Sequence, residues 1–231
     1  MDKLNITEAD EGKLFKNRNG DVRKVIYVHP DPNGYTGPVV AICPETGSAL
    51  NFRTSGQLLR GSTSVFDLVE RYEPMTWPEF CKNVLHWATD RGIIANSISR
   101  AQVLKGLTEY GELVEAVLND DRDEVVDAIG DILVCLVNAA GIAGRDLSPS
   151  PIHAVPLTSV DYALSATAEV LGRTVLSIDP VDYALAVRQI QELAAALDVD
   201  FTECLESAWN AIKDRKGYLN EQGVFVKEVG E

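Results

Sequence analysis

Along the first 75 residues, apolar positions come in short runs separated by turn-forming residues. "DVRKVIYVH" reads as a strand and "PDPNGYTGP" as a turn, while "VVAIC" and "ALNFRT" flank "PETGS" as a hairpin would. "SVFDLVERYEP" closes the region, which shows no catalytic constellation. At Thr76 the spacing changes to the three-to-four-residue period of helices. "TWPEF" offers a threonine N-cap, a proline in the first turn and Glu79 three residues after the threonine, the capping-box arrangement. The period predicts helices over about 77–91, 98–119, 121–143, 159–174, 180–197 and 200–217. "DFTE" at the head of the last is a second capping-box candidate, and "GVFVKE" is a short tail beyond it. "SPSPIHAVP", 148–156, is too rich in proline to be helical. The pair of helices over 159–197 carries the string "VDYAL" twice, at 160–164 and 181–185, which reads as the mark of a duplicated hairpin. The fold class is therefore α+β: a small β-rich module over 1–75, of open role, followed by an all-α bundle over 76–231.

The third helix poses the chemical question. "EVVDAIGDILVCLVN" is apolar enough to be buried, yet carries Glu124, Asp127 and Asp131. At about 100° per residue these three and Asn138 share one stripe about 60° wide. In the preceding helix, "LTEYGELVEAV" places Glu109 and Glu112 three apart on one face, and Glu115 extends it. Acids so spaced ordinarily decorate a solvated face. Here the segment is apolar around most of its circumference, and "NDDR" is too short a link to separate the two helices, which should be antiparallel neighbours. Four or five carboxylates then converge and repel one another. The third helix holds no lysine or arginine between Arg122 and Arg145, so a hard, oxygen-seeking divalent ion such as Mg²⁺ is the natural counter-charge. Near the C-terminus of the last helix stand Lys213, Arg215 and Lys216, which either complement the helix dipole or contact a phosphate chain whose other oxygens sit on that metal.

Composition narrows the partners. The net charge of −14 resides almost wholly after residue 75; the first 75 residues hold nine Lys/Arg against ten Asp/Glu. Such acidity argues against gripping a nucleic-acid polymer, which needs clustered cations. Cys43, Cys81, Cys135 and Cys204 are scattered without a C-x-x-C pair, and His29, His86 and His153 show no ligand spacing, a usage that suits a reducing cytoplasm. No uncharged apolar run of about 18 residues and no secretory signal is present, so no membrane association is expected.

The string "LKGLTEYGELVEAVLNDDRDEVVDAIGDILVCLVNAAG" resembles the MazG-type all-α nucleoside triphosphate pyrophosphohydrolases, marked by E-x-x-E on one helix and E-x-x-D on the next. Glu109-Tyr-Gly-Glu112 matches the first element, "IGDILVCLVN" looks like the second metal helix as far as Asn138, and "AWNAIKDRKG" is similar to the closing helix. The likeness covers about residues 77–147 and 200–217. The added β module and middle helical pair give a layout similar to MazG-like proteins of bacteriophages. Many members read E-L-G-D in the second element, and Ala128 stands where that glutamate would be. Glu124-Val-Val-Asp127 is itself E-x-x-D, and which of Glu124, Asp127 and Asp131 bind metal directly is left open.

The resemblance implies Mg²⁺-dependent cleavage of a (deoxy)nucleoside triphosphate to the monophosphate and pyrophosphate, with Mn²⁺ as a substitute. Metal ligands would come from Glu109, Glu112, Glu124, Asp127 and Asp131, and the general base from Glu112 or Glu124. Lys213, Arg215 and Lys216 would neutralise the leaving group, while Asn138 and Asn210 would hydrogen-bond base, sugar or phosphate. Members assemble as homodimers or homotetramers. Two rivals remain: a MazG-like scaffold whose metal site has decayed, favoured by Ala128, and the same fold acting on an alarmone or another nucleotide derivative.

Overall fold

In the computed structural model, residues 4–30, 37–58, 63–149, 158–176, 180–220 and 225–227 are described. The chain divides into two units, Met1–Pro74 and Met75–Glu231.

The first unit is a sheet of five strands: β1 (Leu14–Asn17), β2 (Val22–Val28), β3 (Val39–Ile42), β4 (Ala49–Phe52) and β5 (Leu68–Tyr72). Their order is β4-β3-β2-β1-β5, with every neighbour antiparallel. The "PETGS" hairpin is present, pairing Val39 with Phe52 and Ile42 with Ala49. "PDPNGYTGP" falls largely outside the described residues. Alternate residues point to one face, where Phe15, Val25, Ala41 and Phe52 are wholly buried. The expected strands omitted β1, whose four residues "LFKN" are too few to show a period. Asp10 is buried in a 3-10 turn at Glu8–Asp10. Its carboxylate takes two bonds from Arg71, at 2.9 and 3.0 Å, and one from the Thr7 N–H.

The second unit contains α1 (Trp77–Asp90), α2 (Ile93–Asn96), α3 (Ser99–Leu118), α4 (Arg122–Ile142), α5 (Val160–Leu176), α6 (Pro180–Ala196) and α7 (Phe201–Ile212), then a hairpin of β6 (Gly217–Leu219) and β7 (Phe225–Lys227). Thr76 donates its N–H and hydroxyl to the Glu79 carboxylate at the head of α1. At α7 Asp200 caps the Thr202 N–H, but Glu203 does not close a box; it turns to Arg122, which grips it with two bonds of 2.7 and 3.0 Å.

Helix α4 is the axis of this unit and packs against α1, α2, α3, α6 and α7. Among the described residues it is the one helix long and apolar enough to cross a membrane, with mean hydropathy 1.9 over the relevant window. Neighbouring helices cover it, so that 78% of that window is buried. Two glycines let its neighbours approach. A Cβ on Gly106 of α3 would meet Cys135 at 3.3 Å, and one on Gly130 of α4 would meet the Cys204 carbonyl oxygen at 2.6 Å and Ala208 at 2.7 Å. The antiparallel α3–α4 pair thus follows from a short link together with a small residue at the crossing.

Two expectations need correction. The last helix ends at Ile212 instead of 217, because the carbonyls of Lys213 and Arg215 are bonded by Arg91 and Gly217 enters β6. Arg215 and Lys216 therefore lie beyond the helix. The segment after it is no free tail, since Phe225–Lys227 pairs with Gly217–Leu219. The "VDYAL" strings also do not behave as repeats. Tyr162 is 61% exposed, whereas Tyr183 is fully buried and shares a hydrogen bond with Ser99. The two copies sit differently: at the head of α5 Tyr162 is exposed and Ala163 buried, whereas at the head of α6 the tyrosine is the buried residue.

Candidate functional site

The antiparallel crossing sets residues of α3 against residues of α4 in register: Gly106 by Cys135, Glu109 near Asp131, Glu112 near Glu124. The five acids read from the sequence therefore share one wall, graded in depth. Glu109 is 5% exposed, Asp127 and Asp131 are half-buried, and Glu112 and Glu124 reach solvent. At the outer end Glu112, Glu115, Ala116, Asn119, Asp121 and Glu124 line a depression of 280 Å³.

The electrostatics follow from that grading. Burial pushes the Asp131 carboxyl from an ordinary 3.8 to about 6, and the charges of Glu109 and Asp127 push the same way, against the pull of Arg215 and Lys105. Glu112 is raised too, chiefly by a hydrogen bond with the Glu109 carboxyl, then by burial and the Glu109 charge. Burial likewise raises Cys135, beneath Asp131, and keeps it a thiol.

Part of the counter-charge is protein. Lys105, one turn before Glu109, forms an ion pair with it. Burial works against the Lys105 charge, but the hydrogen bond and charge of Glu109 raise its pKa overall. Arg215 reaches the same cluster from beyond α7. The expectation of a divalent ion as the natural counter-charge, drawn from the third helix alone, left out both residues. The Lys105 signal was legible as an i, i+4 pair with Glu109; that of Arg215 depends on how α7 docks on α4.

The remaining candidates are placed unevenly. Asn138, on the same stripe of α4, is 3% exposed, and its Oδ1 has no hydrogen-bond partner among the described residues. Lys213 donates to the Asn210 Oδ1 at 2.7 Å, and both side chains lie in solvent. Lys216 is also exposed. Ala128 is 3% exposed and packs in the apolar core.

Chemically, the wall offers oxygen donors only, with more negative charge than its lysine and arginine offset, which suits a hard divalent cation. Among the described residues no three His, Cys, Asp or Glu side chains are drawn together closely enough to hold one. A cation would have to gather the donors and separate Lys105 from Glu109.

Comparison with known proteins adds one distant relative. The chain is 36% identical over 59 residues to an uncharacterised 18.2 kDa protein from the rep-hol intergenic region of Haemophilus phage HP1 (strain HP1c1). The match takes in 26% of this chain and spans about a third (36%) of that protein's length. No protein-family model matches the chain, and no solved structure matches it.

Proposed function

We propose that the helical unit is a nucleoside triphosphate pyrophosphohydrolase of MazG-like architecture, cleaving (deoxy)nucleoside triphosphates to the monophosphate and pyrophosphate. The observation that carries the reading is the α3–α4 wall of Glu109, Glu112, Glu124, Asp127 and Asp131. Burial, reinforced by the Glu109 and Asp127 charges, raises Asp131 to about 6 against the pull of Arg215 and Lys105.

Glu109, Glu112, Asp127 and Asp131, with Glu124 at the rim, would hold Mg²⁺ or Mn²⁺. Bound there, the ion would supply a Lewis acid for the phosphate oxygens. The chain's own residues account for the rest. Glu112, raised above its ordinary value and facing the 280 Å³ depression, would accept the proton of the attacking water. The water oxygen bonds to phosphorus as the α–β phosphoanhydride bond breaks, and the electron pair leaves on pyrophosphate. Arg215, whose charge acts on Asp131, would meet that leaving charge; Lys213 and Lys216 lie within a few residues of it. Asn138, with an unused acceptor oxygen, would read a donor on the nucleotide. A homodimer or homotetramer, a cytoplasmic setting and a phage source accord with this reading.

Purified protein incubated with Mg²⁺ and each NTP and dNTP, with alarmones added to the panel, should release pyrophosphate from at least one. A correctly folded protein releasing none overturns the reading. The second reading, a decayed scaffold, is favoured by the buried Ala128 and by the absence of three converging donors among the described residues. Glu112→Gln separates the two: an enzyme loses turnover by about a hundredfold or more, whereas a scaffold loses nothing it does.

A further inference from the structure

Apart from Lys105 on α3, the cations of the site do not sit on a helix. They lie on the chain leaving α7, and one residue outside the acid wall fastens that chain. Arg91, the C-cap of α1, donates Nε to the Arg215 carbonyl at 2.8 Å and Nη2 to the Lys213 carbonyl at 3.3 Å. Nη1 returns to the Trp87 carbonyl at 3.4 Å. The guanidinium stacks over the Trp87 ring, 4.9 Å from its centroid. Trp87 is buried and meets Phe225 edge-on at 5.2 Å, and Phe225 belongs to β7, which pairs with β6 just after Arg215. With its donors on carbonyls and its face on an indole, Arg91 is committed to shaping backbone and not to a ligand. Carbonyls leaving a helix carry the negative end of its dipole, which suits a cation there.

We propose that Arg91 is a positioning residue: by clamping the Lys213 and Arg215 carbonyls it fixes where the Arg215 side chain leaves the backbone, and so how its charge bears on the α3–α4 carboxylates. The inference rests on the hydrolase reading, because it makes Arg91 act on pyrophosphate through Arg215. A lysine at 91 keeps the charge but lacks the planar fork that serves two carbonyls while stacking on an aromatic ring, so geometry and charge can be separated.

The test uses the full chain as wild type, Arg91→Lys, Arg215→Gln and the double variant. Binding of inorganic pyrophosphate in excess Mg²⁺ is measured by calorimetry, with kcat and KM on whichever nucleotide the wild type hydrolyses. Arg215→Gln should weaken pyrophosphate binding about tenfold, and Arg91→Lys about three- to tenfold. The double variant should be no weaker than Arg215→Gln alone, because Arg91 acts through Arg215. Circular dichroism and thermal melts confirm folding; if Arg91→Lys melts early, Arg91→Gln, which keeps one donor to a carbonyl, replaces it. A wild type that binds no pyrophosphate and hydrolyses nothing removes the hydrolase reading and this inference with it. A wild type that binds pyrophosphate while Arg91→Lys binds equally well removes this inference alone, as does an additive loss in the double variant.

Discussion

Replacing Asp131 by asparagine should make the protein more stable at neutral and alkaline pH while removing a ligand. In the folded state burial, aided by Glu109 and Asp127, lifts Asp131 from 3.8 to about 6. Between those values the folded chain holds a proton that the unfolded chain has released. Stability therefore falls as pH rises from about 4 to about 6, and stays lower above that range. At about 1.4 kcal/mol per tenfold change in proton affinity, the ionised carboxylate costs the folded state on the order of 3 kcal/mol, an upper figure because water and side chains relax around it. Asparagine has nearly the same shape and no charge, so Asp131→Asn should gain about 1–2 kcal/mol at pH 8 and almost nothing at pH 4. Urea denaturation at both pH values, extrapolated to water, measures the difference. Saturating Mg²⁺ should raise the wild-type Tm and leave that of Asp131→Asn less affected. A variant less stable than wild type at pH 8, or a difference independent of pH, would refute the argument that the wall is under-compensated.

Three other perturbations test packing and ion pairing in the two units. Gly130→Ala puts a methyl group into the Cys204 carbonyl oxygen and Ala208, neither of which can swing away; a loss of about 2–3 kcal/mol should appear in chemical denaturation, and a neutral result would mean that α4 and α7 are not so tightly apposed. Asp10→Asn breaks the charge-assisted pair with Arg71, at a cost of about 1–3 kcal/mol because Arg71 is half in solvent. The Arg71 guanidinium holds the Asp10 carboxyl far below the ordinary range. Its stabilisation is thus complete above about pH 4 and lost as pH falls further, which amide exchange in β1 and β5 should follow in wild type and not in the variant. Lys105→Met removes the cation paired with Glu109 and should tighten Mg²⁺ binding severalfold by ending the competition; weaker binding would show that Lys105 helps to assemble the wall.

Much of the helical unit was legible because burial imposes a period. Val125, Val126, Ile129, Ile132, Leu133 and Leu136 were readable as an apolar surface, and all six are buried. The link "NDDR" required α3 and α4 to be neighbours, which they are. The acids stood out for the same reason, as interruptions of an apolar helix. What could not be read is also specific. β1 is too short to carry a period, and the end of α7 depends on Arg91, more than 120 positions earlier in the chain.

The sequence by itself determined where the long helices lie and which of their side chains share a face, because those follow from the geometry of a single helix. It put Glu109 with Glu112, and Glu124 with Asp127, Asp131 and Asn138. Only the tertiary structure decided how deep each acid lies and which cations meet it. Burial and long-range charge depend on neighbours brought in by packing. Thus Asp131 sits at about 6 because α3 closes over it, Arg215 reaches it because α7 docks beside Gly130, and Ala128, one position beyond Asp127, is core.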